Sequence, residues 1–153
     1  MRDAVGGTFM IKIFLIFLAL YIIFVGVAVN YAKAFRVKNR IINIIEQNEG
    51  ITNYTDNSPS SVLGQIKESL NEYHYKVQGI DRGQCPESQY GYMNDEYGYC
   101  IGLVTTGVEN DGIVYEYYRV KTYVIISFPF FEDALSFRIP IKGETRKIER
   151  ITN

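Results

Sequence analysis

The sequence predicts an α+β fold, in which one long N-terminal helix lies on a small antiparallel sheet of about four strands. Three observations predict it. An apolar run near the N-terminus passes without a break into a helical repeat. Alternating β-branched and aromatic residues fill much of the second half. Between these stretches stand turn signals rich in Gly, Asn and Pro. With 153 residues the chain has room for one domain of ordinary size plus an anchor.

Residues 9–29 read FMIKIFLIFLALYIIFVGVAV, and residues 13–29 carry no charge. A helix there is about long enough to cross a ~30 Å hydrocarbon core. Lys12 stands one turn inside the run, where its stem can lie along lipid while its ammonium reaches the headgroups, so it marks the membrane boundary. A cleaved secretory signal is the competing reading, with Arg2 and Lys12 as its basic region and Val25-Gly26-Val27-Ala28 as small residues for a peptidase. Against it, the run exceeds the usual signal core and continues as an amphipathic helix. Ala34, Val37, Ile41, Ile44 and Ile45 recur at three- and four-residue steps, while Lys33, Arg36 and Arg40 fall on another face. One continuous helix is therefore expected from Thr8 to Glu49, stopped by Gly50. The expected organisation is a short leader (1–7), a transmembrane segment (8–29) continuous with an amphipathic helix (30–49), and a small α+β domain (50–153).

Within that domain, Ser58 and Pro59 read as the N-cap and first residue of a short helix that carries Val62, Leu63, Ile66 and Leu70 on one face and ends near Tyr73. A short strand is expected over Tyr73 to Val77. The stretch 79–98, GIDRGQCPESQYGYMNDEYG, has no period of 2 or 3.6 and reads as a surface excursion. A hairpin follows, Tyr99 to Thr106 and Ile113 onward, turned at Glu109-Asn110-Asp111-Gly112. Along its second strand Val114, Tyr118, Val120, Thr122, Val124, Ile126 and Phe128 share one face, and Arg119, Lys121 and Tyr123 the other. Pro129 ends that strand and Phe130 to Ala134 turn the chain back. In the next strand Leu135, Phe137, Ile139 and Ile141 face one way, and Pro140 argues for an edge position or a bulge. A last polar strand is expected from Glu144 to Ile151, with Thr145 exposed.

Composition narrows the function. Sixteen basic against seventeen acidic residues leave a net charge of −1, without the electrostatic footprint of a nucleic-acid binder. Thirteen Tyr and nine Phe but no Trp suit sheets and aromatic surfaces. Cys85 and Cys100 form no CxxC pair and stand away from the single His74, so a metal site is not expected. As a disulfide they would close a loop of about fifteen residues, worth roughly 3 kcal/mol. His74 has no acid, Ser or Cys arranged around it by a known spacing, and the acidic groups at 94–96 and 109–111 lack the ligand spacing of a calcium loop. Neither an enzyme nor a cofactor is expected.

The run AVGGTF directly before the apolar helix, followed by NYAKAFRVKNRIINIIEQ, resembles TadE-like minor pilins or pseudopilins of Tad (Flp) pilus systems. SFPFF and FRIPIKGET add to the likeness in the second half. The resemblance implies a pilin-like fold and an exported C-terminal domain. It also implies cleavage after Gly6 or Gly7, leaving Gly7 or Thr8 as first residue, and association with other pilin-like subunits or pilus assembly proteins through the N-terminal helix. The chain departs from the pilin pattern at Lys12, or Ile11 when counted from Gly7, where an acidic residue is usual.

Two functions follow as expectations. One is a structural subunit or assembly factor of a Tad-type pilus or pseudopilus, held in the cell membrane by a single pass. The other is a membrane-tethered binding module that presents Tyr90, Tyr92, Tyr97 and Tyr99 as aromatic faces. Both take the lipid bilayer as a partner. The cations Lys33, Arg36, Lys38 and Arg40 after the anchor favour a cytoplasmic domain, whereas paired cysteines favour an oxidising exterior. The extracytoplasmic placement is preferred, because basic residues on a docked helix are partly structural.

Overall fold

The computed structural model describes residues 2–77, 79–106, 113–127 and 136–151. Helix α1 spans Arg2–Gln47 and helix α2 Val62–Glu72. The strands are β1 (Tyr92–Asn94), β2 (Tyr99–Thr106), β3 (Ile113–Ser127), β4 (Ser136–Glu144) and β5 (Ile148–Ile151). The architecture is the predicted one, a long helix on a small antiparallel sheet.

Helix α1 has two unlike halves. From Phe9 to Val29 most of its large apolar side chains are exposed, among them Phe14, Phe17 and Phe24. Farther on, Ala34, Val37, Ile41, Ile44 and Ile45 are all buried, the stripe read from the spacing. The helix starts before Thr8, running through Gly6 and Gly7, since a turn already formed is cheaply extended even through poor helix formers. It ends at Gln47, followed by Glu49 at φ 54° and Gly50 at φ 110°. There the Gly50 N–H donates to the Ile45 carbonyl at 2.9 Å, a left-handed helix stop.

Helix α2 begins later than expected. Its N-cap is Ser61, whose Oγ accepts the Gly64 N–H at 3.0 Å. Ser58 and Pro59 instead form the turn before it, in which the Ser61 N–H donates to the Ser58 carbonyl at 2.9 Å.

In the sheet, strands run in the order β1-β2-β3-β4, and β5 also pairs with β3. The long β3 is the shared member. It pairs with β2 from Tyr99↔Thr122 to Thr106↔Tyr115, and on its other side with β4 and then β5. The expected last strand from Glu144 to Ile151 is thus divided: its start completes β4, and its end forms β5. Between them Thr145 is buried rather than exposed. Its Oγ1 accepts the Tyr118 N–H and its own N–H donates to the Tyr118 carbonyl, both at 2.9 Å. A side-chain oxygen thereby does the work of a ladder carbonyl.

No strand forms over Tyr73 to Val77, and again a hydroxyl explains why. The Tyr75 hydroxyl donates to the Tyr123 carbonyl at 2.8 Å and accepts the Tyr123 N–H at 3.0 Å. It satisfies β3 just past the start of β2, where backbone pairing on that side ceases. Across β3, the partner of Tyr123 is Pro140, which has no N–H to give. Pro140 is tolerated because Tyr123 turns its polar groups toward Tyr75, and because β4 is the end strand of the β1-β2-β3-β4 order.

Helix α1 covers one sheet face, over Tyr118, Val120, Thr122 and Val124, with Gly143 closest to Lys38 and Ile42. The stretch expected as a surface excursion covers part of the other. It contributes β1, and it buries Ile80, Cys85, Tyr90 and Tyr97. This strap lies so close that a Cβ on Gly102 would stand 1.9 Å from the Gln89 carbonyl oxygen. The turns expected at 109–112 and 130–134, together with Phe128, Pro129 and Leu135, lie outside the described residues.

Two glycine substitutions test the layering. Gly102→Ala meets backbone and is expected to cost ~1–3 kcal/mol. Gly143→Ala meets the flexible ends of Lys38 and Ile42, at 2.8 and 2.9 Å, and is expected to cost less. Guanidinium denaturation of the detergent-solubilised chain measures both, and equal losses would contradict the strap.

Candidate functional site

The first candidate surface is the bare half of α1. Among the described residues it belongs to the one helix long and apolar enough to cross a membrane, and no protein covers its most apolar stretch. Gly6, Gly7 and Thr8 lie in the opening turns of this helix, with Gly7 and Thr8 exposed. Lys12 is exposed as well, one turn farther on.

At the junction of the two halves, the cations divide by role. Lys33 donates to the His74 carbonyl at 2.8 Å, just past the end of α2. Arg40 donates through Nε to the Ser69 Oγ at 3.1 Å. Lys38 is buried, with its ammonium 4.2 Å from the centre of the Phe35 ring. Arg36 is exposed and lines a groove with Val29, Ala32, Lys33 and Tyr73. Three of the four cations therefore have contacts within the fold.

The second candidate surface was the Tyr-rich loop, and here the expectation needs correction. Cys85 and Cys100 are joined as a disulfide, with Cα atoms 6.1 Å apart. This ties the strap to β2. Tyr90, Tyr97 and Tyr99 are buried, and Tyr92 is half-buried with its ring centre 6.0 Å from those of Tyr54 and Tyr99. The rings of Tyr90, Tyr97 and Tyr99 belong to the core and present no exposed aromatic face, which leaves Tyr92 alone of the four partly exposed. Tyr97 also donates its hydroxyl to Asn71 Oδ1 at 2.8 Å, joining the strap to α2.

Beneath the strap, the Lys121 ammonium stands 5.2 Å from the Tyr123 ring centre and 5.6 Å from that of Tyr90, and donates to the Gln84 carbonyl. The Tyr123 hydroxyl donates to the same carbonyl at 2.8 Å. It also lies 3.9 and 4.0 Å from the two sulfurs. Burial, with Lys142 nearby, lowers the affinity of Lys121 for its proton. Burial likewise pushes Tyr75 and Tyr123 up to about 12, and Tyr99 well above the ordinary phenol range. These phenols are held neutral by the core.

His74 is exposed, at φ 48°, and its N–H donates to the Asn71 carbonyl at 2.9 Å. In the acidic group at 94–96, Asn94 Oδ1 accepts the Tyr97 N–H, and Glu96 pairs with Lys67 and Lys76 at 3.5 and 3.6 Å. Among the described residues no three His, Cys, Asp or Glu side chains converge as a metal site would require. Residues 109–111 lie outside the described residues.

Sequence reasoning missed Tyr75 and Thr145, whose hydroxyls complete β3. Pro140 was the available signal, since a proline opposite β3 implies that its partner's amide bonds elsewhere. Comparison with protein families, curated proteins and solved structures finds no match for this chain.

Two measurements check the strap. Cys85→Ser with Cys100→Ser is expected to lower stability by roughly 3 kcal/mol, the loop-closure value, read from denaturation with the intact chain as reference. Alkali should act through the tyrosines. Tyr75 and Tyr123 have folded values raised above the ordinary value of 10.0, to about 12. Their contribution to stability is thus fully present below about pH 10 and is lost as pH rises toward 12. Tyrosinate absorbance and circular dichroism should change together across that window; ionisation of every tyrosine near pH 10 with the fold intact would contradict the burial.

Proposed function

We propose that this chain is a membrane-anchored structural subunit, most like a pilin-like subunit or assembly factor of a Tad-type pilus or pseudopilus. In this reading α1 crosses the bilayer once, the domain lies on the extracytoplasmic side, and the exposed half of α1 is the surface through which the chain meets similar subunits. The observation that carries it is the continuity of α1. One unbroken helix is bare over its first half and a core element of the domain over its second.

The disulfide supports the extracytoplasmic side, since such bonds persist in oxidising compartments. The contacts of Lys33, Lys38 and Arg40 weaken the opposing charge argument, because these residues have a structural use that does not depend on topology. Lys12 in place of the usual acid favours a minor or priming subunit over the main filament subunit. Burial of Tyr90, Tyr97 and Tyr99 counts against the alternative of an aromatic binding loop.

Mass spectrometry of the mature N-terminus tests the processing. A start at Gly7 or Thr8 with a methylated amine is the expected outcome; an intact Met1 points to a plain tether, and a start near Val29 would remove the anchor. For topology, Cys85 and Cys100 are buried, so a membrane-impermeant maleimide on intact cells is expected to label the exposed thiol of a Leu103→Cys variant without lysis. A thiol reached only after lysis would place the domain in the cytoplasm.

A further inference from the structure

The sheet has a direction relative to α1. The Arg146 N–H donates to Glu46 Oε1 at 2.7 Å, Gly143 lies against Lys38 and Ile42, and the Thr122 Oγ1 reaches the Ala34 carbonyl at 3.4 Å. Val124 and Ile125 then line a small cavity with Asn30, Lys33 and Ala34. Passing down β3, or backward along β4, therefore means passing down α1 toward its bare half.

Ile141, Ile139 and Phe137 pair with Thr122, Val124 and Ile126, on the face that α1 covers. Their exposure climbs along that path, from 7% at Ile141 to 42% at Ile139 and 54% at Phe137. Ile139 is level with Asn30 to Ala34. Phe137 lies two residues beyond it, about 7 Å along the strand and on the order of one helical turn nearer the N-terminus of α1. That is the level at which the apolar run closes at Val29. At the same end of the domain Tyr31, Phe35 and Tyr73 are exposed, and Tyr73 borders a groove with Lys33 and Arg36.

We propose that this end of the domain is a second lipid contact, in which Phe137 and Ile139 enter the interfacial layer of the bilayer beside α1. The inference rests on the reading that α1 crosses the membrane. Its occupant is lipid because the apolar patch continues the apolar surface of the anchor without a gap in level. Its rim also has the composition that suits headgroups, exposed aromatic rings interleaved with cations. Anchor and sheet then meet the bilayer at two places, which sets the tilt of α1 in the membrane and with it the orientation of the domain.

The chain has no Trp, so single tryptophans can report on depth. Phe137→Trp, Phe17→Trp and Leu103→Trp would each be made in the full chain and reconstituted into phosphatidylcholine and phosphatidylglycerol vesicles with lipid brominated near the top of the acyl chains. Leu103 is exposed at the level of Tyr118, far from the anchor. Quenching by bromolipid is expected for Phe17→Trp and Phe137→Trp, with Leu103→Trp unquenched and open to aqueous iodide. If Phe17→Trp is quenched but Phe137→Trp behaves like Leu103→Trp, the second contact is refuted and the anchor stands. Shielding of Phe137→Trp from both bromolipid and iodide would assign the patch to a second copy of the chain and overturn the lipid contact. An unquenched Phe17→Trp would overturn the anchor, and this inference with it.

Discussion

The packing of α1 residues 34–45 onto β3 is the contact on which the other parts of the molecule depend. Val37, Ile41 and Ile45 are fully buried there, in one core with Tyr118 and Val120, and burial of each such side chain contributes about 1.5–3 kcal/mol. Because the helix is unbroken, this one contact fixes the bare half as well. The domain cannot turn about the anchor without giving up its own core.

Where the sheet ladder is interrupted, hydroxyl groups replace backbone partners. Tyr75 serves both polar groups of Tyr123, and Thr145 serves Tyr118 between β4 and β5. The Tyr118 hydroxyl in turn accepts the Ile51 N–H at 3.0 Å, where the chain leaves α1. A buried backbone amide left unpaired would cost on the order of 1–3 kcal/mol. This gives Tyr75, Tyr118 and Tyr123 a physical reason: the ring fills the core as Phe would, while the polar tip closes an amide or carbonyl that Phe would leave open.

The parts legible in the sequence were those with a period. The stripe from Ala34 to Ile45, the limits of β2 and the faces of β3 all follow from spacing. The strap over residues 79–98 has no period, and its burial comes from a disulfide and from aromatic contacts distant in sequence. Gly and Tyr in that stretch read as solvent-facing, and Gly102 showed no sign of the close approach it permits. Tyr75 to Val77 had strand composition, yet β3 receives a side chain there. Thr145 looked exposed because it stands among charged residues, and only the break between β4 and β5 turns it inward.

The bare half of α1 sets a requirement that the domain cannot meet. Phe14, Ile16, Phe17, Leu20, Ile22 and Phe24 are exposed at positions all round the helix, so no single sheet face could cover them. A helix apolar on every side needs an apolar solvent. Lipid is such a solvent; in the proposed reading as a pilin-like subunit, the matching halves of neighbouring subunits are another. The domain does not cover this half itself, but holds the second half of the same helix in its core and leaves the first bare. That division of one helix between two environments, more than any constellation of side chains, is what makes a structural role the natural reading of this chain.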